Sequence, residues 1–323
     1  MAKFLIIRFS SIGDIVLTTP VIRCLRKKFP DAVIHFLTKK TVASIVVNNP
    51  YINKVITLGD SVELMLHELR TEEYDTIIDL HHNLRSLRIK RSLKGVNALS
   101  FKKLNVEKFI YTNLKWNTLP KKHIVDRNLQ TVSSFGVEND GMGLDYFIPE
   151  TAIVKNEDIP TSHLHGYIAI VIGAALATKQ LPVHKLRELC VAIDHPLILL
   201  GGKEDFETGA AIAAVDPIKI YNACGKFSLD ESADLLRRSK IVISHDTGLM
   251  HIAAALQKPL ITVWGNTVPA FGMYPYYGER SVVRFDTIEV KNLWCRPCSK
   301  IGYKKCPKGH FKCMLEIDEK EFL

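Results

Sequence analysis

The segment at residues 241–267, IVISHDTGLMHIAAALQKPLITVWGNT, constrains the fold more than any other part of the chain. It predicts a buried strand, a polar turn made by Asp246, Thr247 and Gly248, a helix with one apolar face, and a second buried strand after Pro259. The first N–H groups of a helix are unpaired, and the helix dipole favours negative charge at that end. The turn therefore places an acid beside an anion-binding helix start, as the binding of a nucleotide-sugar requires.

Strand-like and helix-like stretches alternate along all 323 residues, which predicts an α/β fold with mainly parallel sheets. The predicted strands lie at 4–7, 32–37, 54–58, 76–79 and 98–101 in the first half and at 167–172, 197–200, 218–221, 241–244 and 260–263 in the second. Each half reads as a Rossmann-like unit. The polar stretch 136–165 predicts a linker, so we expect an N-terminal domain at 1–160 and a C-terminal domain at 161–323, with the ligand site in the cleft between them.

Composition predicts a cytoplasmic protein with an anionic partner. No apolar run reaches the ~20 residues of a membrane-spanning helix, and the run at 4–7 is too short for a signal peptide. The net charge of +9 suggests nucleic acid, a membrane surface or a phosphorylated substrate, but no nucleic-acid-binding signature is present. Residues 85–103 carry seven basic residues and no acid, which predicts either a solvated helix face or an anion-binding face.

A polar turn, RFSSIGD at 8–14, directly follows the first predicted strand. Ser10, Ser11 and Gly13 make it flexible, and Asp14 lies where the next helix begins. Asp14 is either a catalytic acid–base group at the carboxyl end of a strand or only a helix cap. The chain has no G-x-G-x-x-G pattern at this turn, which argues against a dinucleotide dehydrogenase.

Two glycine-containing turns follow predicted strands in the second half. The turn at 173–182, GAALATKQLP, allows close approach of a ligand and supplies Lys179, which either reaches a phosphate or is a surface lysine. The turn at 199–209, LLGGKEDFETG, offers Glu204, Asp205 and Glu207 to the hydroxyls of a ribose.

Cysteine and histidine patterns leave two alternatives each. Cys295, Cys298, Cys306 and Cys313 have C-x2-C-x7-C-x6-C spacing with His310 between them, which indicates either a structural zinc site or reduced thiols. A second group of histidines indicates either fixed hydrogen bonds or a metal or catalytic role; its members are His81, His82, His245 and His251.

Taken together, these motifs resemble glycosyltransferase family 9, the ADP-heptose:lipopolysaccharide heptosyltransferases, over nearly the whole chain. The shared patterns are R-x-S-S-x-G-D at 8–14 with T-x-P at 18–20, D-L-x4-R-S at 79–86, G-x5-K-x2-P at 173–182, D-T-G-x2-H-x-A-A-A-L at 246–256 and G-x-T-x-P at 265–269. The cysteine tail also looks like that of many family members.

The resemblance implies a GT-B architecture of two Rossmann-like domains, with the acceptor in the N-terminal domain and the donor in the C-terminal one. It implies an inverting transfer of heptose from ADP-heptose to an anionic lipopolysaccharide-core acceptor, without a metal or another cofactor. Asp14 would be the general base, and Lys179 would stabilise the departing diphosphate. The implied donor-binding residues are Gly173, Ala174, Ala175, Lys179, Glu207, Phe227, Asp246, Thr247, Gly248, Leu249 and His251, and the implied acceptor-binding residues are Ser10, Ser11, Gly13, Arg85 and Arg88.

The chain departs from the family pattern around the central turn. Ala174 and Ala175 stand where some members have hydroxyl residues, and Leu181 stands where the family often has Trp. These differences bear on the donor sugar more than on the reaction. The alternatives are a GT-B-type nucleotide-sugar epimerase or hydrolase, and a non-catalytic nucleotide-sugar-binding protein.

A lipopolysaccharide acceptor is anchored in a membrane, which implies a peripheral enzyme at the inner face of the inner membrane. We expect the basic residues of 85–103 to meet an anionic bilayer surface through screened charge attraction. Phe109, Tyr111 or Trp116 would add apolar contact with the bilayer.

Overall fold

The computed structural model describes residues 1–59 and 61–322 and contains two compact units. The first unit comprises residues 1–103, 122–147 and 278–281, and the second comprises 104–121, 148–277 and the C-terminal residues from 282. This division differs from a single cut at residue 160, because 104–121 packs with the second unit and 278–281 with the first.

Both units are built on parallel sheets, so the predicted fold class is confirmed. The strands of the first unit are β1 (Lys3–Ile7), β2 (Val33–Lys39), β3 (Lys54–Leu58), β4 (Thr76–Asp79) and β5 (Asn97–Ser100). The strands of the second unit are β6 (Ile168–Val171), β7 (Leu197–Leu200), β8 (Ile220–Asn222), β9 (Val242–His245), β10 (Leu260–Val263) and β11 (Phe285–Ile288). The strand orders are β3-β2-β1-β4-β5 and β11-β10-β9-β6-β7-β8.

Helices connect the strands in both units. The α-helices are α1 (Ile12–Val16), α2 (Thr19–Lys28), α3 (Ser44–Val47), α4 (Val62–Thr71), α5 (Leu84–Ser92), α6 (Asn105–Leu114), α7 (Ile124–Gln130), α8 (Val183–Ala192), α9 (Phe206–Ala213), α10 (Leu229–Arg238), α11 (Gly248–Ala255) and α12 (Lys312–Leu315). Short 3₁₀ turns lie at Lys40–Val42, Ser133–Phe135, Glu150–Ala152, Asn156–Asp158, Thr161–His163, Ala177–Lys179, Lys203–Asp205, Pro269–Phe271 and Glu319–Phe322.

Each sheet has its topological switch point between its first strand and its fourth. β1 pairs with β4 in the first unit, and β6 pairs with β9 in the second. Chain connections run in opposite directions from such a pair of strands, so their carboxyl ends border a crevice where ligands bind. The motifs at 8–14 and 79–86 follow β1 and β4, and those at 173–182 and 246–256 follow β6 and β9.

Apolar strands form the core of each unit. Leu5 and Ile7 of β1 and Ile77 of β4 are fully buried, and so are Leu197 and Leu199 of β7. Burying side chains of this size stabilises a fold by roughly 1.5–3 kcal/mol each, which fixes the strands and therefore the loops at their ends. Among the described residues, no helix has both the length and the apolar character that spanning a bilayer requires.

Candidate active site

A lysine and an aspartate meet at the switch point of the second unit. Lys179 ends the 3₁₀ turn after β6, and Asp246 directly follows β9. The distance from Lys179 Nζ to Asp246 Oδ2 is 2.5 Å, and Thr267 Oγ1 donates a hydrogen bond to the same oxygen at 3.0 Å. The two charged side chains are only 18% and 10% exposed. The sheet thus holds a largely buried cation at the place where the sequence predicts a phosphate.

Helix α11 begins beside this ion pair, as the sequence predicts. Thr247 is its N-cap residue with extended backbone, and the Thr247 side chain makes no capping hydrogen bond within the described part of the chain. The first N–H groups of a helix have no intrahelical partners, so the start of α11 presents donors to an anion. Leu249 is half-buried in this turn, and His251, two residues further along, is buried.

His245 joins the two loops of this site. Its Nε2 accepts a hydrogen bond from the backbone N–H of Leu181 at 2.9 Å, two residues beyond Lys179. Burial lowers the pKa of His245 to about 4, so the ring is neutral and can accept this bond. Of the two readings of this histidine, the structure supports a fixed hydrogen bond that positions the Lys179 loop.

The two glycine turns surround a carboxylate that the chain itself supplies. A Cβ on Gly173 or on Gly201 would collide with the side chain of Asp205. Asp205 Oδ2 accepts the N–H of Gly202 at 2.8 Å, and burial raises the pKa of Asp205. Glycine at these two positions therefore makes room for Asp205. Glu207 is exposed in the first turn of α9.

The remaining donor-side residues lie in the loops of the same unit. Ala174 and Ala175 follow Gly173, and the Ala174 carbonyl accepts a hydrogen bond from Gln180 Nε2 at 2.9 Å. Phe227 is half-buried just before α10. None of these positions involves a side-chain hydroxyl.

The C-terminal tail makes hydrogen bonds to the loops after β6 and β10, and the sequence analysis did not predict these contacts. Arg296 donates hydrogen bonds to the carbonyls of Gly265 at 2.5 Å and Thr267 at 3.0 Å, and its side chain is almost fully buried. The backbone of Tyr303 exchanges two hydrogen bonds with Thr178, next to Lys179. The only sequence signal was an arginine within an otherwise apolar and cysteine-rich W-C-R-P-C run.

The seven cysteines are free thiols. Within residues 1–59 and 61–322, no group of three or more His, Cys, Asp or Glu side chains is arranged to hold a metal ion. Cys295 Sγ lies 3.8 Å from His310 Nε2, and burial raises the pKa of Cys298 and raises that of Cys313 to about 12. A structural zinc site and reduced thiols both stay predictions for this tail.

A cavity of about 460 Å³ lies at the switch point of the first unit. Its walls are formed by Phe9, Ser10, Lys39, His81, Asn83, Leu84 and Arg85. Two of the predicted acceptor residues, Ser10 and Arg85, thus line one cavity. Ser11 and Gly13 instead belong to the start of α1, and Arg88 is exposed on α5.

Asp14 is held by groups from its own turn. One carboxylate oxygen, Oδ1, lies 2.5 Å from Arg8 Nη2, and Oδ2 accepts hydrogen bonds from Ser11 N at 3.0 Å and Ser11 Oγ at 2.7 Å. Asp14 therefore caps α1, and its carboxylate remains about a quarter exposed. The partial exposure of the carboxylate is compatible with both readings of Asp14, a helix cap and an acid–base group.

The D-L-x4-R-S motif builds the turn that carries the cavity wall. Asp79 is fully buried and accepts hydrogen bonds from the backbone N–H groups of His81 at 3.1 Å and His82 at 2.7 Å. It also accepts a hydrogen bond from the Ser86 hydroxyl at 2.7 Å and forms an ion pair with Lys90 at 2.9 Å. Lys90 consequently belongs to the interior and not to a free basic face, which corrects the expectation for this residue.

The two adjacent histidines of this turn have different surroundings. The His81 ring lies 4.9 Å from the Phe9 ring and faces the cavity, and burial, aided by the Arg8 charge, lowers the pKa of His81 to about 4. The His82 ring nitrogen Nδ1 lies 2.6 Å from the Phe101 carbonyl oxygen. His82 is fixed to the strand end, and His81 is a neutral ring in the cavity wall.

Comparison with known proteins assigns the chain to a family. The model of glycosyltransferase family 9 (heptosyltransferase) matches residues 63–304. Lipopolysaccharide heptosyltransferase 1 of Campylobacter coli is 26% identical over 289 residues, covering 82% of this chain and 84% of that protein. Lipooligosaccharide heptosyltransferase 2 of Haemophilus influenzae is 25% identical, covering 98% of this chain and 95% of that protein.

Solved structures show the same fold. The E. coli ADP-heptose LPS heptosyltransferase II superposes with a TM-score of 0.74 at 20% identity, covering 99% of this chain and 96% of that one. The E. coli heptosyltransferase WaaC with ADP-2-deoxy-2-fluoro heptose superposes with a TM-score of 0.66 at 23% identity, covering 88% and 92%. The two parallel-sheet α/β domains are those of the GT-B fold. The chain belongs to glycosyltransferase family 9 and is a glycosyltransferase.

Proposed function

We propose that this protein transfers a heptose from ADP-heptose to an anionic lipopolysaccharide inner-core acceptor, with inversion and without a metal. The observation that carries the proposal is the Lys179–Asp246 pair beside the first turn of α11. This pair offers a cation and helix N–H donors to a diphosphate and a carboxylate to sugar hydroxyls. The relatives are named heptosyltransferases, and one solved neighbour contains an ADP-heptose analogue.

The donor is assigned to the second unit. The diphosphate would lie against Lys179 and the N–H groups of 247–249, with the backbone of 173–175 alongside. Asp246 would hold hydroxyls of the heptose. Glu207 would hold the ribose, Phe227 would contact the adenine, and His251 would border the same pocket.

The chemistry is a single displacement at the anomeric carbon. Asp14 takes the proton of the acceptor hydroxyl while that oxygen forms the new bond to the anomeric carbon. The bond from this carbon to the diphosphate oxygen breaks, and ADP leaves with the electron pair. Lys179 and the start of α11 stabilise the negative charge that grows on the leaving group, which is the task a metal would otherwise perform.

The acceptor is assigned to the first unit. Lys39 and Arg85 give its cavity a positive lining that suits carboxylates and phosphates. Ser10 would contact the acceptor there, while Ser11 and Gly13 would shape the turn that holds Asp14. Arg88 would meet the acceptor outside the cavity, since it is exposed on α5.

We also propose that the enzyme works in the cytoplasm at the membrane surface, because its acceptor is a membrane lipid. The exposed arginines of α5, Arg85, Arg88 and Arg91, would meet anionic headgroups. Lys90 is excluded from this role by its ion pair with Asp79.

Product analysis tests the reaction. The protein is incubated with ADP-heptose and a lipopolysaccharide-core acceptor, and the acceptor is examined by mass spectrometry and NMR. We expect the mass of one added heptosyl residue and an anomeric configuration opposite to that of the donor. Free heptose in place of a heptosylated acceptor would indicate a hydrolase, and retained configuration would contradict the single displacement.

A further inference from the structure

Helix α6 presents apolar side chains to solvent. None of its residues is buried, and Val106, Phe109 and Leu114 are 69%, 64% and 68% exposed. Trp116, two residues beyond the helix, is 69% exposed. Large apolar groups that cluster at the surface in this way mark an interaction site.

The C-terminal tail of the same unit adds to this surface. Trp294 is 67% exposed and Ile301 is 60% exposed. The tail and α6 are joined directly, because Lys115 Nζ donates hydrogen bonds to the carbonyls of Cys295 at 3.1 Å and Pro297 at 2.8 Å. Trp116 follows Lys115 and Trp294 precedes Cys295, so both exposed tryptophans lie beside this junction in the chain.

This surface is also strongly basic. Residues 104–121 and 291–312 together hold ten of the 43 Lys and Arg residues but one of the 34 Asp and Glu residues. One of the ten, Arg296, is almost fully buried and pairs with Glu289, so it does not belong to this surface. Lys300, Lys304 and Lys305 are exposed on the tail. Lys308 makes a cation–π contact with Trp294, with Nζ 5.2 Å from the ring centre, so a positive charge lies directly beside an exposed aromatic ring.

We propose that α6 and the tail form a membrane-docking surface that binds an anionic phospholipid bilayer; its members are Val106, Phe109, Leu114, Trp116, Trp294, Lys300, Ile301, Lys304, Lys305 and Lys308. Tryptophan and phenylalanine partition into the headgroup region, and lysines are attracted to anionic lipids. A bilayer supplies both an apolar layer and negative charge. A second copy of the chain would bring the same positive charge to the contact and be repelled.

This proposal rests on the proposed function in one respect, namely that the acceptor lies in a membrane. A binding experiment tests it without measuring catalysis. The full-length protein is sedimented with vesicles of phosphatidylcholine, with or without phosphatidylglycerol, at low and high salt. We expect binding to the anionic vesicles only, and we expect this binding to fall steeply as the salt concentration rises.

The variant Trp116→Ala/Trp294→Ala should bind about tenfold more weakly. Lys300→Gln, Lys304→Gln and Lys305→Gln should each weaken binding up to about fivefold.

Two controls make the test specific. Ile218→Ala removes an apolar side chain that is 82% exposed elsewhere on the second unit and should leave binding unchanged. Arg88→Gln/Arg91→Gln probes α5 in the first unit. If only the α5 variant loses binding, or if the tryptophan variant binds like the wild type, the docking surface is wrong although heptosyl transfer stands.

A readout on activity separates the two proposals further. The tryptophan variant should keep wild-type turnover on a water-soluble, deacylated acceptor and lose turnover on an acceptor embedded in anionic vesicles. A dimer in sedimentation equilibrium that Trp116→Ala/Trp294→Ala dissociates would overturn the proposal in favour of a second copy of the chain.

Discussion

At the scale of a single residue, Asp14 has a structural role that the structure shows and a chemical role that we propose. Its Oδ2 accepts two hydrogen bonds from Ser11 and its Oδ1 pairs with Arg8. Asparagine keeps a side-chain oxygen that can accept the Ser11 N–H, but its neutral amide cannot act as a base. The substitution Asp14→Asn therefore isolates the chemical role.

We expect Asp14→Asn to lower turnover by at least 10²-fold, the usual contribution of a general base, while ADP-heptose affinity stays near wild type. Steady-state kinetics and calorimetric titration of the donor measure the two quantities. Asp31→Asn, an exposed aspartate of the same unit, is the matched control. Wild-type turnover in Asp14→Asn would remove Asp14 from the chemistry.

Lys179 has an ion pair with Asp246 and a proposed role in stabilising the leaving group, and one experiment can separate the two. Removing Lys179 leaves the Asp246 carboxylate largely buried without its cation, although Thr267 still donates a hydrogen bond to it. Lys179→Met should therefore lower the free energy of unfolding by on the order of 2–3 kcal/mol. The double variant Lys179→Met/Asp246→Asn should regain most of this stability but no activity. Urea unfolding and ADP-release kinetics check both. Activity that recovers together with stability would show that Lys179 is only structural.

At the scale of elements, the tail acts as a clamp on the loops of the donor site. Arg296 contacts the loop after β10, and Tyr303 contacts the loop after β6. Lysine cannot donate hydrogen bonds to several carbonyls at once, because it lacks the planar guanidinium group of arginine.

We expect Arg296→Lys to raise the KM for ADP-heptose about tenfold, with an unchanged circular dichroism spectrum. Cys298→Ala is the control and should leave KM unaltered. An equal rise of KM in Cys298→Ala would show that the effect does not come from the contacts of Arg296.

The sequence predicted most strands and every loop that carries the candidate site, because buried parallel strands are continuous apolar runs that end in polar turns. It missed β11, whose residues Phe285–Ile288 are half polar and lie at a sheet edge. It also placed 104–121 with the first domain. Tertiary packing decides such assignments: Tyr111 packs edge-on against Phe271 at 5.9 Å, and no local pattern encodes that contact.

Contacts between distant segments explain what was missed within the site. The predicted ligand space above Gly173 is filled by Asp205, and the Lys90 charge is used by Asp79. Gly173 and Asp205 lie in loops after different strands, and Asp79 and Lys90 lie on a strand and the helix that follows it, so each pair meets only in the folded unit. Residue types and spacing identified the loops, whereas the partner of each side chain required the structure.

At the scale of the whole molecule, buried neutral histidines link stability to pH. Burial lowers the pKa of His81 and of His245 to about 4, against about 6.5 in the unfolded chain. The unfolded state therefore binds more protons between these values, so stability is complete above about pH 6.5 and falls as pH decreases. We expect urea unfolding to show a loss of roughly 2 kcal/mol per pH unit below pH 6 and a shallower slope in His245→Gln. An identical slope in both proteins would contradict the assignment to His245.

The central claim is that the enzyme transfers a sugar by using its own cation and helix dipole in place of a metal. The most direct measurement is the rate of ADP release from ADP-heptose after metal removal and in excess chelator, with and without the lipopolysaccharide-core acceptor. We predict that ADP release depends on the acceptor, keeps its full rate in chelator and does not become faster when Mg²⁺ or Mn²⁺ is added. Release that stops in chelator and returns with a divalent metal, or that proceeds equally without acceptor, would contradict it.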